Sequence, residues 1–388
     1  MTRTVPHRLS VSLITLGDPD TLTGGYLYHR RLAELAPRHD ARLAFASFPA
    51  KPFPFPILYG PRLLRALSAQ RPDVVVLDSI AAAFLAPWTA AVRVPVVVMA
   101  HQPPGGIDHG LARRHVQAIL DRAAYRRVER VLVASQLLAD QFGGQGFAGR
   151  LLVVPPGRDV ASAPAGPKQD LRGDARAALL CVGNWVARKG IVQALDAVAR
   201  LPAGLARLHL AGDDRPEPEY AARVRRRLAR GDVAARVEYH GRLSREEVAA
   251  LYRDADVFVL PSLREPYGTV YGEAMATGLP VVGWRAGNLP YLAGHEREGL
   301  LAEPGDLAGL VSALRRLAED EELRTRLGAA ARKRAATFPT WEQTAEQFFT
   351  AVRAAAGRVG RATGTSRKPP RGGTQANAKV LQSPASNS

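Results

Sequence analysis

Hydrophobic positions along this chain gather in short runs, several of them unbroken by any polar residue. "LSVSLITL", "ARLAFASF", "DVVVLD", "VPVVVMA", "RVLVAS" and "RLLVVPP" punctuate the first part of the sequence. Helix-length stretches such as Tyr26 to Ala36 and Leu111 to Arg127 lie between most of them. A strand with one wet face would alternate polar and apolar residues, so continuous Val/Ile/Leu runs predict parallel strands covered on both sides. The rhythm breaks at residues 158 to 177, a segment rich in Pro, Gly, Ala and charge. It restarts with "ALLCVGN", "ARLHLAG", "RVEYHG", "DVFVLPS", "LPVVGW" and "GLLAEP", and three helical stretches follow from Asp306.

The fold class expected from this pattern is α/β, with two doubly wound Rossmann-like domains facing a cleft. The boundaries read as a first domain over 1–160, a linker over 161–177 and a second domain over 178–340. A helix over 341–356 crosses back to the first domain, and 357–388 form a basic disordered tail. In such sheets ligands bind beyond the carboxyl ends of the strands.

Composition narrows the classes. A chain of 388 residues exceeds one ordinary core. A single cysteine, Cys181, excludes a disulfide framework and favours a reducing compartment; in "ALLCVG" it reads as a small buried hydrophobe. The longest apolar region, Ser79 to Ala100, contains Pro87, Arg93 and Pro95, so it reads as helix plus strand, not as a membrane span. With no secretory signal evident, a soluble cytoplasmic protein is expected.

The formal charge is +17, yet six of the basic residues and no acidic one lie from Gly357 onward. Only six of the 53 basic residues are lysine, a sign of composition bias as much as selected charge. The cluster "RVRRRLAR" at 223 to 230 reads as a solvated helix face. Peripheral contact with anionic lipid is a secondary expectation, and nucleic acid is not an expected partner, given 6% aromatic residues and no nucleic-acid motif.

The chemistry gathers in "REPYGTVYGEAMATGLPVVGW", residues 264 to 284. "DVFVLPS" ends in the loop carrying Glu265, and a helix should open near Gly268 or Thr269 and stop at Gly278-Leu279-Pro280. The free amides near Gly268, Thr269 and Val270 make a positive pocket suited to phosphate. Glu273 lies a turn inside that helix. After the next strand, Gly287 permits close backbone approach and Pro290 starts another short helix. One carboxylate before an anion pocket and one behind it suit an anionic ligand with hydroxyls on both sides, such as a nucleoside-diphosphate sugar.

Glu265, Tyr267, Gly268 and Glu273 fit the pattern E-x-(F/Y)-G-x-x-x-x-E, and here the chain resembles the retaining glycosyltransferases of family 4, with their two-domain GT-B fold. The likeness covers most of residues 10 to 355. It is carried as well by Gly24-Gly25, "RVLVAS" ending at Ser135, "VPPG" at 154 to 157, "VGNWVARKG", "LAG" at 210 to 212, "YHGRLSREEV" and "ADVFVLPS". The resemblance implies that Glu265 contacts the hydroxyls of the donor sugar and Glu273 the ribose. Arg188 and Lys189 would neutralise the diphosphate, Gly24 and Gly25 would admit donor phosphate to the backbone, and His101 would face the donor sugar. Tyr267, Gly268, Thr269 and Val270 complete the implied donor site, and the acceptor is a hydroxyl on a saccharide, lipid-linked or small molecule.

Departures are visible too. Tyr291 closes "GNLPY" where many relatives carry an acid. Asp254-Ala255-Asp256 mimics a metal motif of another glycosyltransferase fold but precedes a strand, and His209 and His240 read as core or surface residues. No metal-ligand spacing appears, so no metal and no cofactor beyond the sugar nucleotide is expected. Two other readings stay open: a sugar-nucleotide epimerase of similar architecture, and a non-enzymatic basic protein that binds nucleic acid or membrane. A nicotinamide enzyme is disfavoured, since no G-x-G-x-x-G follows the first strand.

Overall fold

The computed structural model describes residues 8–20, 24–158 and 167–362. Each of the twelve apolar runs contains a strand. The first six are β1 (Leu9–Leu16), β2 (Ala41–Phe48), β3 (Val74–Asp78), β4 (Val96–Ala100), β5 (Arg130–Val133) and β6 (Leu151–Val153). They form one parallel sheet in the order β2-β1-β3-β4-β5-β6. The second six are β7 (Ala177–Val182), β8 (Ala206–Ala211), β9 (Val237–Gly241), β10 (Val257–Val259), β11 (Val281–Trp284) and β12 (Gly299–Ala302). Their parallel sheet runs β12-β11-β10-β7-β8-β9. Strand order reverses between β1 and β3 in one sheet and between β7 and β10 in the other, which places a ligand crevice at each of these positions.

Helices cover both sheets. The first carries α1 (Gly24–Leu35), α2 (Gly60–Gln70), α3 (Ala82–Leu85), α4 (Leu111–Tyr125) and α5 (Gln136–Phe142). The second carries α6 (Ile191–Ala199), α7 (Pro218–Leu228), α8 (Gly231–Ala234), α9 (Arg245–Asp254), α10 (Thr269–Thr277), α11 (Leu289–Leu292), α12 (Leu307–Glu319) and α13 (Glu321–Ala335). Local chemistry sets their ends: Ser244 and Glu247 form a reciprocal capping box that opens α9. The strands of β3 and β4 are buried at every position, as doubly covered strands must be. Cys181 is fully buried, and burial pushes its thiol up to about 12, so it packs as an inert apolar group.

The last helix, α14 (Trp341–Ala362), belongs to the first domain. Phe348, Phe349 and Val352 enter that domain's core, Thr344 Oγ1 donates to Pro155 O at 2.9 Å, and Arg353 donates to His39 O at 2.6 Å.

Two boundaries differ from the sequence reading. The helix runs six residues past 356 into the segment read as tail. A docked, alanine-rich helix propagates cheaply once nucleated, and outruns the roughly 1 kcal/mol that each of Gly357 and Gly360 costs. Residues 363–388 lie outside the described residues. The second difference is the linker: residues 167–176 lie against the second domain. Leu171 is buried in its core, and Arg172 forms a two-pronged ion pair with Asp256 at 2.7 and 2.6 Å. One apolar residue in a polar stretch was enough to find a core slot.

Candidate active site

The loop after β10 carries Glu265, and the structure wraps it tightly. Asn288 N donates to Glu265 O at 2.8 Å, and Asn288 Nδ2 to Tyr267 O at 2.8 Å. Gly287 has φ +58°, and a Cβ there would stand 2.8 Å from Glu265 N, so the two loops need glycine to touch. Gly268, with φ +88°, ends the loop and opens α10; a Cβ on it would reach 2.7 Å from the fully buried Tyr271 ring. Gly278, at φ +90°, closes the same helix. The amides of Thr269 and Val270 lie in the helix's first turn, where no intrahelical partner exists. Glu273 stands one turn further on with an exposed side chain, and its Oε2 accepts from Tyr252 at 3.2 Å.

The short turn before α6 brings cations to that loop. Lys189 Nζ donates to Glu265 Oε2, and Arg188 Nη1 lies 3.7 Å from the same oxygen. Arg188 also donates to Arg264 O at 3.0 Å and reaches across the cleft to Asp108 Oδ1 at 3.0 Å. Two cations thus face two carboxylates, Glu265 and Asp108, beside the free amides of a helix N-terminus, so an anion that displaced either carboxylate would find both cations within reach.

The first domain answers with a buried polar cluster. His101, at the end of β4, has its Nε2 3.0 Å from His29 Nε2, and His29 Nε2 lies 3.3 Å from Asp78 Oδ2. Asp78 ends β3 and accepts from Thr15 Oγ1 (3.2 Å), Ser79 Oγ (3.3 Å) and Ile80 N (3.2 Å). Burial holds His101 down at about 4, lowers His29 well below the usual range and lifts Asp78 to about 7. Both rings are therefore neutral near pH 7. Among the described residues, a Cβ on Gly25 would meet only the His101 ring, at 3.6 Å, and one on Gly24 nothing within 4 Å.

One segment joins the two halves. Tyr28, edge-on to His101 with ring centres 4.9 Å apart, donates to Val154 O at 3.1 Å. Tyr267 donates to Pro156 O at 3.1 Å, and Ser135 Oγ to Pro266 O at 2.6 Å. "RVLVAS" and "VPPG" thus end in groups that hold the Glu265 loop from the opposite domain. Tyr291, where an acid is common, instead donates to Asp140 Oδ2 at 2.7 Å across the same gap.

Sequence reasoning missed His29, Asp78 and Asp108. None stands in a motif, and only the topology brings helix α1, the end of β3 and the end of β4 to one point. Elsewhere, Asp254 and Asp256 are engaged by Arg253, Arg172 and the Ala178 amide. His209 stacks on His240 and bonds the Leu171 carbonyl at 2.7 Å. Although sequence spacing shows no metal cluster, the fold gathers two sets of ligand-type atoms within 4.8 Å, His29-Asp78-His101 and His209-Glu238-His240. Each is already joined internally by hydrogen-bonded histidines at 3.0 Å. Among the described residues no helix is long and apolar enough to cross a membrane.

Two facing Rossmann-like domains, with a carboxylate, two cations and a helix terminus on one side of the cleft, define the class as GT-B glycosyltransferases. The comparisons agree: residues 166–334 match the family described as Glycosyl transferases group 1, and residues 5–157 the Glycosyl transferase 4-like domain. The chain belongs to this glycosyltransferase family. It is 32% identical over 211 residues to D-inositol 3-phosphate glycosyltransferase of Corynebacterium efficiens, covering 51% of this chain and 50% of that one. Against glycogen synthase of Mycobacterium tuberculosis it is 30% identical over 265 residues, 65% and 61% of the two chains. The matched part thus spans half to about three fifths of these relatives' length.

Among solved structures, sucrose-phosphate synthase from Thermosynechococcus elongatus superposes with a TM-score of 0.76 at 22% identity, covering 92% of this chain and 99% of that one. HepE of Anabaena, in complex with UDP-glucose, gives 0.75 at 19% identity, with 88% and 99% covered. At these identities the likeness is one of fold.

Proposed function

We propose that this protein transfers a sugar from a nucleoside-diphosphate sugar to a hydroxyl acceptor, with retention of anomeric configuration and without a metal ion. The observation that carries this reading is the Arg188-Lys189-Glu265 cluster at the N-terminus of α10, facing the neutral His101 across the cleft. In the free protein Lys189 is held by Glu265, and Arg188 by Asp108 and Glu265 together. An incoming diphosphate offers both cations more negative charge, so they turn to it, and Glu265 is released towards the sugar hydroxyls.

As the glycosidic bond breaks, charge grows on the leaving phosphate, where Arg188, Lys189 and the amides of Thr269 and Val270 stabilise it. Glu273 holds the ribose. His101 is kept in place by His29 and Asp78, which act as positioning residues, and Gly24 and Gly25 admit the phosphate to the backbone. No nucleophile-base pair is needed for same-face attack: the acceptor hydroxyl attacks, and the departing phosphate oxygen takes its proton.

HepE was crystallised with UDP and with UDP-glucose, which makes uridine nucleotides the first to test. The experiment is a thermal-shift panel of nucleotide sugars followed by steady-state transfer. A ligand at 100 times its dissociation constant adds about 2.7 kcal/mol. Glu273→Ala should weaken nucleoside-diphosphate binding and raise the donor KM. Glu265→Ala should spare that binding yet lower kcat about a hundredfold. Product formation from donor alone, with no acceptor, would favour an epimerase instead, and no stabilisation by any nucleotide sugar would refute the donor site.

A further inference from the structure

Five of the six exposed residues of α4 are apolar where a water-facing helix should be polar, and the sixth is His115. Leu111 (82% exposed), Val116 and Ile119 share the helix's outer stripe with Ala112 and Ala123, while Gln117, Asp121 and Tyr125 are turned into the protein. Beside it, the turn Phe55–Tyr59 adds Phe55 and Leu58 (73% exposed). These five account for more than half of the large exposed hydrophobics among the described residues. They are neighbours, since the Arg113 guanidinium lies 5.4 Å over the Phe53 ring and α3 packs against both α4 and the turn.

Apart from Asp108 at its cleft end, which pairs with Arg188, the charge on this face is basic. From residue 49 to 72 there is no acidic residue, and the single acid of α4, Asp121, is buried and held by the Gly105 amide at 2.8 Å. Lys51, Arg62, Arg65 and Arg114 form no ion pair among the described residues. The cluster at 223 to 230 that dominates the sequence is different: Arg225 pairs with Asp214, Arg227 with Asp196 and Asp232, and Arg223 lies over Tyr220. Two of the five arginines in that run are ion-paired, whereas none of the four cations named here is, and α2, which carries Arg62 and Arg65, packs against the Phe55–Tyr59 turn.

We propose that this face seats the first domain on an anionic bilayer, and that the acceptor is a hydroxyl borne by a lipid or lipid-linked molecule presented there. Apolar side chains ringed by unpaired cations match an anionic lipid interface. A second copy of the chain fits poorly, because a two-fold contact would bring the same cations face to face. The position fits the acceptor: Leu111 follows by three residues Asp108, which bridges to Arg188 at 3.0 Å, so the stripe starts at the mouth of the cleft. The acceptor part rests on the proposed transfer reaction; the docking part does not.

The test is flotation of the full chain with vesicles of phosphatidylcholine alone and of equal parts phosphatidylcholine and phosphatidylglycerol. Binding is expected only to the anionic vesicles. Arg62→Gln with Arg65→Gln should weaken it about 25-fold, from about fivefold per cation. Leu111→Gln with Ile119→Gln should weaken it at least as much, while nucleoside-diphosphate binding, which reports the fold and the donor site, stays unchanged. A chain ending at residue 362 separates the tail from the face: loss of binding there, with both double variants still binding, overturns the proposal. So does a wild-type dimer that the Leu111/Ile119 variant dissolves in sedimentation, or equal binding to neutral vesicles. If vesicle binding behaves as expected but transfer is seen only to soluble sugars, the acceptor assignment fails and the docking face stands.

Discussion

Substituting Lys189 and Glu265 separately should reveal that the free protein uses the donor cations to hold its own carboxylate. Both side chains are nearly enclosed, 11% and 12% exposed. Breaking a buried pair with no other compensation costs about 3–5 kcal/mol. Lys189→Ala leaves Glu265 beside Arg188, 3.7 Å away, so its cost should fall to about 2 kcal/mol. Glu265→Ala strands the buried Lys189 beside Arg188, which keeps only Asp108, and should cost about 3 kcal/mol. Without ligand, therefore, Glu265→Ala is the less stable variant in urea denaturation.

Saturating nucleoside diphosphate should change the balance. At 100 times the wild-type dissociation constant the wild type gains about 2.7 kcal/mol. A lost charge-assisted hydrogen bond of about 2 kcal/mol weakens binding about 30-fold, so Lys189→Ala should gain only about 0.9 kcal/mol. Glu265→Ala should gain the full amount, because it removes an anion that competes with phosphate. Denaturation with and without the nucleotide, on both variants, reads all four values. If Lys189→Ala keeps the full ligand gain, or Glu265→Ala is as stable as wild type without ligand, the exchange of partners is wrong.

The histidine-aspartate cluster makes a pH prediction. Folded-state values held low at His29 and His101 mean that stability is lost as pH falls through about 6.5 towards 4, whereas the raised value of Asp78 favours the fold at low pH and loses that benefit as pH rises through about 7. Asp78 thus offsets one histidine between about pH 5 and 6, and Asp78→Asn should steepen the rise of stability with pH by about 1.4 kcal/mol per unit, measured by urea denaturation; an unchanged slope refutes the assignment. Gly268→Ala forces a Cβ towards Tyr271 and, at 3.3 Å, towards Glu265 Cγ, so it should destabilise by at least about 1–2 kcal/mol and depress kcat through the displaced carboxylate. Chelator treatment should leave transfer intact; activity abolished by it and restored by magnesium or manganese would disprove metal independence.

Strands such as β3 and β4 were legible because doubly covered parallel strands write themselves as unbroken apolar runs, and β1 and β2, though interrupted by polar residues, match their quoted segments residue for residue. The ends of α10 were legible because Gly268 and Gly278 both require left-handed backbone. Adjacency across the chain was not. His29, Asp78 and His101 meet only because β3 and β4 end side by side beneath α1, and nothing local to any of them announces it. Asp108 looks like an ordinary loop acid until the domains face each other. The polar stretch holding Leu171 resembled a linker because a single buried leucine leaves no periodic trace. The outer stripe of α4 was also opaque: a helix with apolar residues on one side does not say which side is covered.

The return of α14 to the first domain sets an order of events during synthesis. Phe348, Phe349 and Val352 complete the core that begins with β1, yet they follow every residue of the second domain. A chain emerging from the ribosome can close its second core while the first still lacks a helix. The half translated first is therefore the half finished last, and its unfilled groove must be shielded from wrong partners for the time needed to add some two hundred residues, about 10–40 s at ordinary elongation rates.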